Sequence, residues 1–239
     1  MKQYFNKGNA IMLKKALGVV VLCGVSIAAQ AVTVDLRHEY VDAGSNGDRV
    51  AVSHRFANGL GFGVEAKWKS GGTDKDQPFS DIVGSGHEES INWRWKATEN
   101  IALTPGLNID SNDSKTTWKP YLHAQYSFDN GFYVAARYRF EYTRYPNDNT
   151  KNEDDKVNRG DLWAGFALGD WRTELNYVYA KSEHQIRSNN DKDSDEYNVK
   201  VAYKIDKNWA PYAELGNVAG SKSTDERQTR YRVGVAYSF

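Results

Sequence analysis

Only one cysteine occurs in the chain, Cys23, and it lies inside an apolar run near the N-terminus. A product trimmed after that run has no thiol, so neither disulfides nor cysteine-held metals brace it. The same run is too short for a membrane-spanning helix, which needs about 20 apolar residues. Net charge is missing too, since 31 Lys+Arg balance 31 Asp+Glu, and nothing in the pattern points to a nucleic-acid partner. After residue 31 no segment sustains a 3.6-residue apolar period, which speaks against helices. His38, His54, His87, His123 and His184 show no ligand spacing, so neither a metal nor another cofactor is expected.

What is present begins with a leader. Lys14 and Lys15 precede "ALGVVVLCGVSIAA", and Ala29-Gln30-Ala31 forms a small-x-small cleavage site, so residues 1–31 read as a secretory signal peptide. Met12 stands directly before the two lysines and offers a second start. A lipoprotein reading of Cys23 is disfavoured by Leu22, where a small residue is required. Losing Lys2, Lys7, Lys14 and Lys15 leaves the exported residues 32–239 with a net charge of −4. Their length fits one domain.

From residue 32 the period is two. "VTVDLRHEYV" places Val34, Leu36 and Tyr40 on one face and Asp35, Arg37 and Glu39 on the other. Residues 48–57 alternate in the same way, then Asn58-Gly59 gives a strong hairpin signal, and residues 60–69 alternate again. Further strands are predicted at 88–97, 101–110, 118–128, 132–143, 159–168, 171–181, 195–205, 209–218 and 227–239, twelve in all. Short Asn/Asp/Gly-rich turns (58–59, 98–100, 129–131, 169–170, 206–208) alternate with longer polar stretches (42–47, 70–87, 111–117, 144–158, 182–194, 219–226). Short turns at one end and long loops at the other are the mark of a transmembrane, antiparallel, up-and-down β-barrel. An even strand number puts both termini on the periplasmic side. The mean hydropathy of −0.71 is compatible with this, because only alternate residues meet lipid. Trp68, Trp93, Trp95, Trp118, Phe128, Trp171, Trp209 and Phe239 fall on outward positions, as aromatic girdles require.

If the apolar stripes face lipid, their neighbours line a pore. That parity assigns Arg37, Arg49, Arg55, Lys67, Arg94, Lys119, Arg137, Arg139, Arg172, Lys200, Arg230 and Arg232 to the lumen, with Lys96 and Lys204. Facing them on the same parity are Asp35, Glu39, Glu65, Asp110, Glu141, Glu174, Glu196 and Glu214. Arginines at i and i+2, such as Arg137/Arg139 and Arg230/Arg232, stand about 6.6–6.8 Å apart along a strand. Such steps would pass a carboxylate from one guanidinium fork to the next. The expected lumen is therefore anion-selective, while the loops 70–87, 146–157 and 182–195 each carry two more acids than bases. Tyr121, Tyr133, Trp163 and Tyr212 also face inward, either to stack on sugars or to fill space.

The stretches "SHRFANGLG" (Ser53 to Gly61), "LRHEY" (Leu36 to Tyr40), "NWAPYAELGNVAGS" (Asn208 to Ser221) and "STDERQTRYRVGVAYSF" (Ser223 to Phe239) resemble the KdgM-type oligogalacturonate-specific porins. The resemblance runs from the signal peptide to the last residue and is weakest in loops 70–87, 144–158 and 182–194. It implies a monomeric twelve-stranded outer-membrane barrel that lets acidic oligosaccharides diffuse through a basic pore, with a terminal aromatic as assembly signal. A related branch of that family admits sialic acid, which is the alternative substrate; a structural barrel without substrate preference is the other alternative. Enzymatic readings fail on the residues. Ser53-His54 has no orienting third group, and "DKDSDE" (Asp191 to Glu196) lacks the glycine and the closing glutamate of a calcium loop.

Overall fold

The computed structural model describes residues 32–146 and 153–239; the leader segment 1–31 lies outside the described residues. Thirteen strand segments follow in order: β1 Val32–Val41, β2 Ser45–Arg55, β3 Leu60–Lys69, β4 Val83–Trp93, β5 Trp95–Lys96, β6 Ile101–Asn112, β7 Lys115–Ser127, β8 Phe132–Arg144, β9 Asp155–Leu168, β10 Trp171–Ser182, β11 Asp193–Tyr203, β12 Trp209–Ala219 and β13 Arg227–Ser238. β4 and β5 are two pieces of one stave, interrupted at Arg94, and both pair with β6. The staves therefore number twelve. All pair antiparallel with their sequence neighbours, and β1 closes on β13 from Thr33↔Ser238 to Val41↔Arg230. The closed sheet has no free edge, so its backbone groups need no water, which is what lipid demands.

Residue alternation decides which side is which. Leu36, Leu122, Tyr138, Leu162, Leu175, Leu215 and Val233 are each roughly half exposed, on the outer face. The buried side chains include Asp161, Asp155, Thr117 and Asn198. This inverts a soluble domain, where large apolar groups go inside, and it fits a wall between lipid and an aqueous lumen. Aromatic pairs sit where staves meet at the short-turn end, such as Trp209–Tyr237 (ring centroids 4.6 Å) and Trp171–Tyr203 (4.7 Å).

The turns at this end need glycine. Gly59 has φ +89°, and a Cβ there would run into the carbonyl of Arg94. The other end departs from expectation. The stretches 42–47 and 111–117 are not loops, because the strands run on through them and leave only 42–44 and 113–114 as tight turns. Polar residues continue the ladder there, with Ser111 and Thr116 hydroxyls 3.1 Å apart. A strand outlasts its apolar stripe because the backbone pairing does not depend on it. β4 and β9 likewise begin at Val83 and Asp155, before the predicted 88 and 159. The connections 70–82, 145–154, 183–192 and 220–226 remain long. The first of these leans on the outer wall. Asn46 donates to the Lys75 carbonyl (3.2 Å), and the Phe79 ring lies 5.2 Å from that of His38. Loops 183–192 and 220–226 are tied together by Asn189 N–H to Thr224 O (3.1 Å) and Asn190 N–H to Lys222 O (2.6 Å).

Candidate functional site: the pore lining

Cross-strand register places Glu65, Glu88 and Asp110 side by side on β3, β4 and β6. Adjacent like charges are destabilising, and two lysines answer them. Lys67 contacts Asp110 and lies 3.9 Å from Glu65, while Lys119 lies 2.8 Å from Glu88 and 3.2 Å from Asp110. Arg49 bridges Asp35 and Glu65, the latter at 3.0 Å. On the opposite run of staves, register gives the alternating row Glu174, Lys200, Glu214, Arg232, Glu39 across β10, β11, β12, β13 and β1. Arg232 donates to Glu39 (2.5 Å) and Glu214 (2.7 Å). Beside it Arg230 reaches Glu196 (3.2 Å) and Asn198 (2.8 Å). On β8 and β9, Arg139 pairs with Glu141 at 2.5 Å, and Asp161 accepts from Arg137 Nε (3.1 Å), Arg159 Nε (3.0 Å) and Arg159 Nη2 (2.8 Å). Asp161 is 1% exposed, so these donors are what makes its charge tolerable.

The twelve residues expected in the lumen divide into two sets. Arg49, Lys67, Lys119, Arg137, Arg139, Arg230 and Arg232 hold carboxylates. Arg37, Arg55, Arg94, Arg172 and Lys200 have no carboxylate partner among the described residues. Lys200 instead places its ammonium 4.1 Å over the Tyr212 ring. Arg55 Nη1 (2.8 Å) and the Arg94 backbone N–H (2.9 Å) both donate to the Gly59 carbonyl, and Arg172 follows the turn at 169–170. These three stand at the end that carries the short turns, with Val32 and Phe239. Arg137 and Arg139 are each bound to a different acid, and the unpaired guanidinia gather at one end of the barrel and at Arg37. Sequence reasoning also missed Arg159, Asp161 and Glu88. The signal was available, since Arg159 and Asp161 share parity with Trp163, and Glu88 shares it with Arg94.

Three of the four inward aromatics lie against glycine. Tyr121 faces Gly106, Tyr133 faces Gly165 and Tyr212 faces Gly234 across the ladder. A Cβ on any of these glycines would collide with the tyrosine ring, so each ring lies flat on the wall where its neighbour has no side chain. Tyr212 then donates to Asp35 (3.0 Å), and Tyr133 contacts Glu174. Flat tyrosines keep the passage open while stiffening the sheet, as aromatic cover of glycine does in designed barrels. Trp163 differs, having Ala135 and Asn176 as its cross-strand neighbours. It borders a lumenal cavity of about 250 Å³ together with Arg159, Asn176, Asn198, Glu214 and Arg230.

A closed, charge-lined, twelve-stave barrel is also what the comparisons return. The profile of the family described as oligogalacturonate-specific porin protein (KdgM) matches residues 25–239. The chain belongs to this family. It is 40% identical over 235 residues to the oligogalacturonate-specific porin KdgM of Dickeya dadantii (strain 3937), covering 94% of this chain and 99% of that one. It is 42% identical over 212 residues to the protein YiiY of Salmonella typhimurium, covering 88% and 92%. A solved KdgM porin structure superposes with a TM-score of 0.65 at 31% identity, over 87% of this chain and 99% of that one, and a companion structure holds disordered oligogalacturonate. The NanC porin shares the fold, with a TM-score of 0.72 at 18% identity over 86% and 100%. This protein is thus a porin of an outer-membrane family, and that identity implies a channel.

Proposed function

We propose that this porin passes acidic oligosaccharides, oligogalacturonates first among them, by facilitated diffusion. It works as a monomer in outer-membrane lipid with both termini toward the periplasm. The reading is supported by an asymmetry in the pore lining. Asp35, Glu39, Glu65, Glu88, Asp110, Glu141, Asp161, Glu174, Glu196 and Glu214 each have a cation or a tyrosine hydroxyl within reach. The converse fails, since Arg37, Arg55, Arg94 and Arg172 are left without a carboxylate among the described residues. The surplus is positive, and at the short-turn end Arg94 and Arg172 offer guanidinium forks to any passing carboxylate, while Arg55 spends its own on the Gly59 carbonyl and Asn92 Oδ1. An anion entering from the loop side meets a mostly paired wall, then a free basic exit. Weak, repeated sites of this kind recruit a solute without trapping it. Twelve staves make a narrower bore than the 16–18 of general porins, which suits a linear chain. The relative that is 40% identical and named for oligogalacturonate favours that substrate over sialate.

The test is single-channel conductance in planar bilayers with oligogalacturonate titrated in, and with sialic acid and a neutral oligosaccharide as comparisons. The expected result is an anion-directed reversal potential in a salt gradient and current interruptions by oligogalacturonate at the lowest concentration of the three. A cation-directed potential, or interruptions no more frequent than with the neutral sugar, would overturn the reading.

A further inference from the structure

Among the described residues, four aromatic side chains on the strands face the lumen, and of these Trp163 borders the cavity of about 250 Å³. Tyr121, Tyr133 and Tyr212 are spread over glycines, whereas Trp163 is held differently. The Arg137 guanidinium lies 5.2 Å over its ring and His123 meets it at 65° with centroids 5.5 Å apart. Next to it runs one register row, Trp163, Asn176, Asn198, Gly216, Arg230, across β9 to β13. Along that row Arg230 donates to Asn198 Oδ1 (2.8 Å), Asn198 donates to Asn176 Oδ1 (3.0 Å), and Asn176 donates to the Leu162 carbonyl (3.1 Å). The two amides are therefore oriented before any solute arrives, and each Oδ1 keeps a second lone pair for a hydroxyl donor. Gly216 is the gap that lets this happen, because a Cβ there would stand 2.6 Å from Asn198 Oδ1. Arg159, two residues before Trp163 on the same face, spends Nε and Nη2 on Asp161 and makes no bond with Nη1 among the described residues.

We propose that Trp163, Asn176, Asn198 and Arg159 form a subsite for one hexuronate ring of the moving chain. The indole takes an apolar sugar face, the two amides take ring hydroxyls, and Arg159 Nη1 takes the carboxylate. The proposal rests on the oligogalacturonate reading above and adds to it the place where a sugar residue pauses. The cavity of about 250 Å³ lies just under the roughly 300 Å³ at which drug-sized pockets begin, so it holds a single ring rather than a chain. A ring stacked on an aromatic is recognised whatever its charge, and this separates the subsite from the electrostatic track.

The experiment is single-channel block by trigalacturonate, comparing wild type with Trp163→Leu and Trp163→Phe. Leucine preserves apolar bulk so that the barrel assembles, and heat-modifiable gel migration checks that it has. The expected result is a block dwell time about tenfold shorter in Trp163→Leu, equivalent to about 1.4 kcal/mol. Trp163→Phe retains most of the dwell time, and the potassium chloride reversal potential is the same in all three. If Trp163→Leu holds trigalacturonate as long as wild type does, the subsite is refuted while the porin reading stands. If the wild-type channel itself is never interrupted, the substrate reading is refuted and the subsite falls with it.

Discussion

Asp161→Asn removes one charge and almost no volume from the most enclosed ion cluster of the barrel. Asp161 is 1% exposed and takes three donors from Arg137 and Arg159, at 2.8–3.1 Å. The amide nitrogen of asparagine would face guanidinium donors, so one of those bonds becomes a donor–donor clash and the remainder lose their charge assistance. Removing one partner of a buried ion pair costs about 3–5 kcal/mol. Arg137 rests over Tyr121 (5.7 Å) and Trp163 (5.2 Å) in either form, so those contacts cancel from the difference. Unfolding of the refolded barrel by denaturant in detergent should then show a loss of about 3–5 kcal/mol. The second effect concerns permeation. An uncompensated positive charge acts on an ion about 6 Å away with about 0.7 kcal/mol at the dielectric constant of water. That is about a threefold gain for an anion and the same loss for a cation, reduced by salt over a Debye length of about 10 Å at 0.1 M. The variant should therefore be less stable and more anion-selective at low salt, with the selectivity gain fading at 1 M. A denaturation midpoint and a reversal potential both equal to wild type would mean that Asp161 does not hold the two arginines, and the account of the cluster would be wrong.

Arg137→Ala combined with Arg139→Ala deletes two cations whose acids, Asp161 and Glu141, stay behind, so reversal potentials in a salt gradient should shift toward cations; unchanged potentials would contradict a lumenal role for the pair. Gly165→Ala drives a methyl group into the Tyr133 ring, forcing the ring off the wall, and open-channel conductance should fall with no change in ion preference. Asp206, in the short turn between β11 and β12, accepts from the backbone N–H groups of Asn208 and Trp209, both at 2.8 Å, which holds its carboxyl below the ordinary value of 3.8. The sign follows from linkage: this support is complete above the unfolded carboxyl's range and is lost as pH falls through the lowered folded value. Asp206→Ala should accordingly lower folded yield at neutral pH, and the difference from wild type should vanish in strong acid.

The barrel was legible because its determinants are local. Period-two stripes such as Leu60-Phe62-Val64-Ala66-Trp68 name a strand and its lipid side at once, and Asn58-Gly59 needs no distant partner to read as a turn. The errors arose where stripes end. At 42–47 and 111–117 the polar sequence resembles a loop, yet β2, β6 and β7 continue through it because Asn46, Ser111 and Thr116 sit in a ladder above the apolar belt. Polarity there reports distance from lipid rather than the end of pairing. Short and long connections consequently alternate less strictly than the sequence suggested.

The pore was legible as a face but not as a set of partners. Arg137 and Arg139 read alike in "AARYRFEY", each inward and each next to Tyr138. Their difference is made by β9, whose register sets Asp161 opposite Arg137 and Arg159 opposite Arg139. Register depends on how far one stave slides past another, a property of two segments together, and a one-residue slip would turn every lumenal charge toward lipid. That penalty fixes parity firmly, which is why alternation along one strand is enough to name a face. A slip of two residues keeps parity while exchanging every neighbour, so alternation carries no knowledge of which acid meets which arginine. The unpaired state of Arg55, Arg94 and Arg172 is accordingly a product of register, and a channel with the same inward residues but shifted pairing would present a different basic track to its solute.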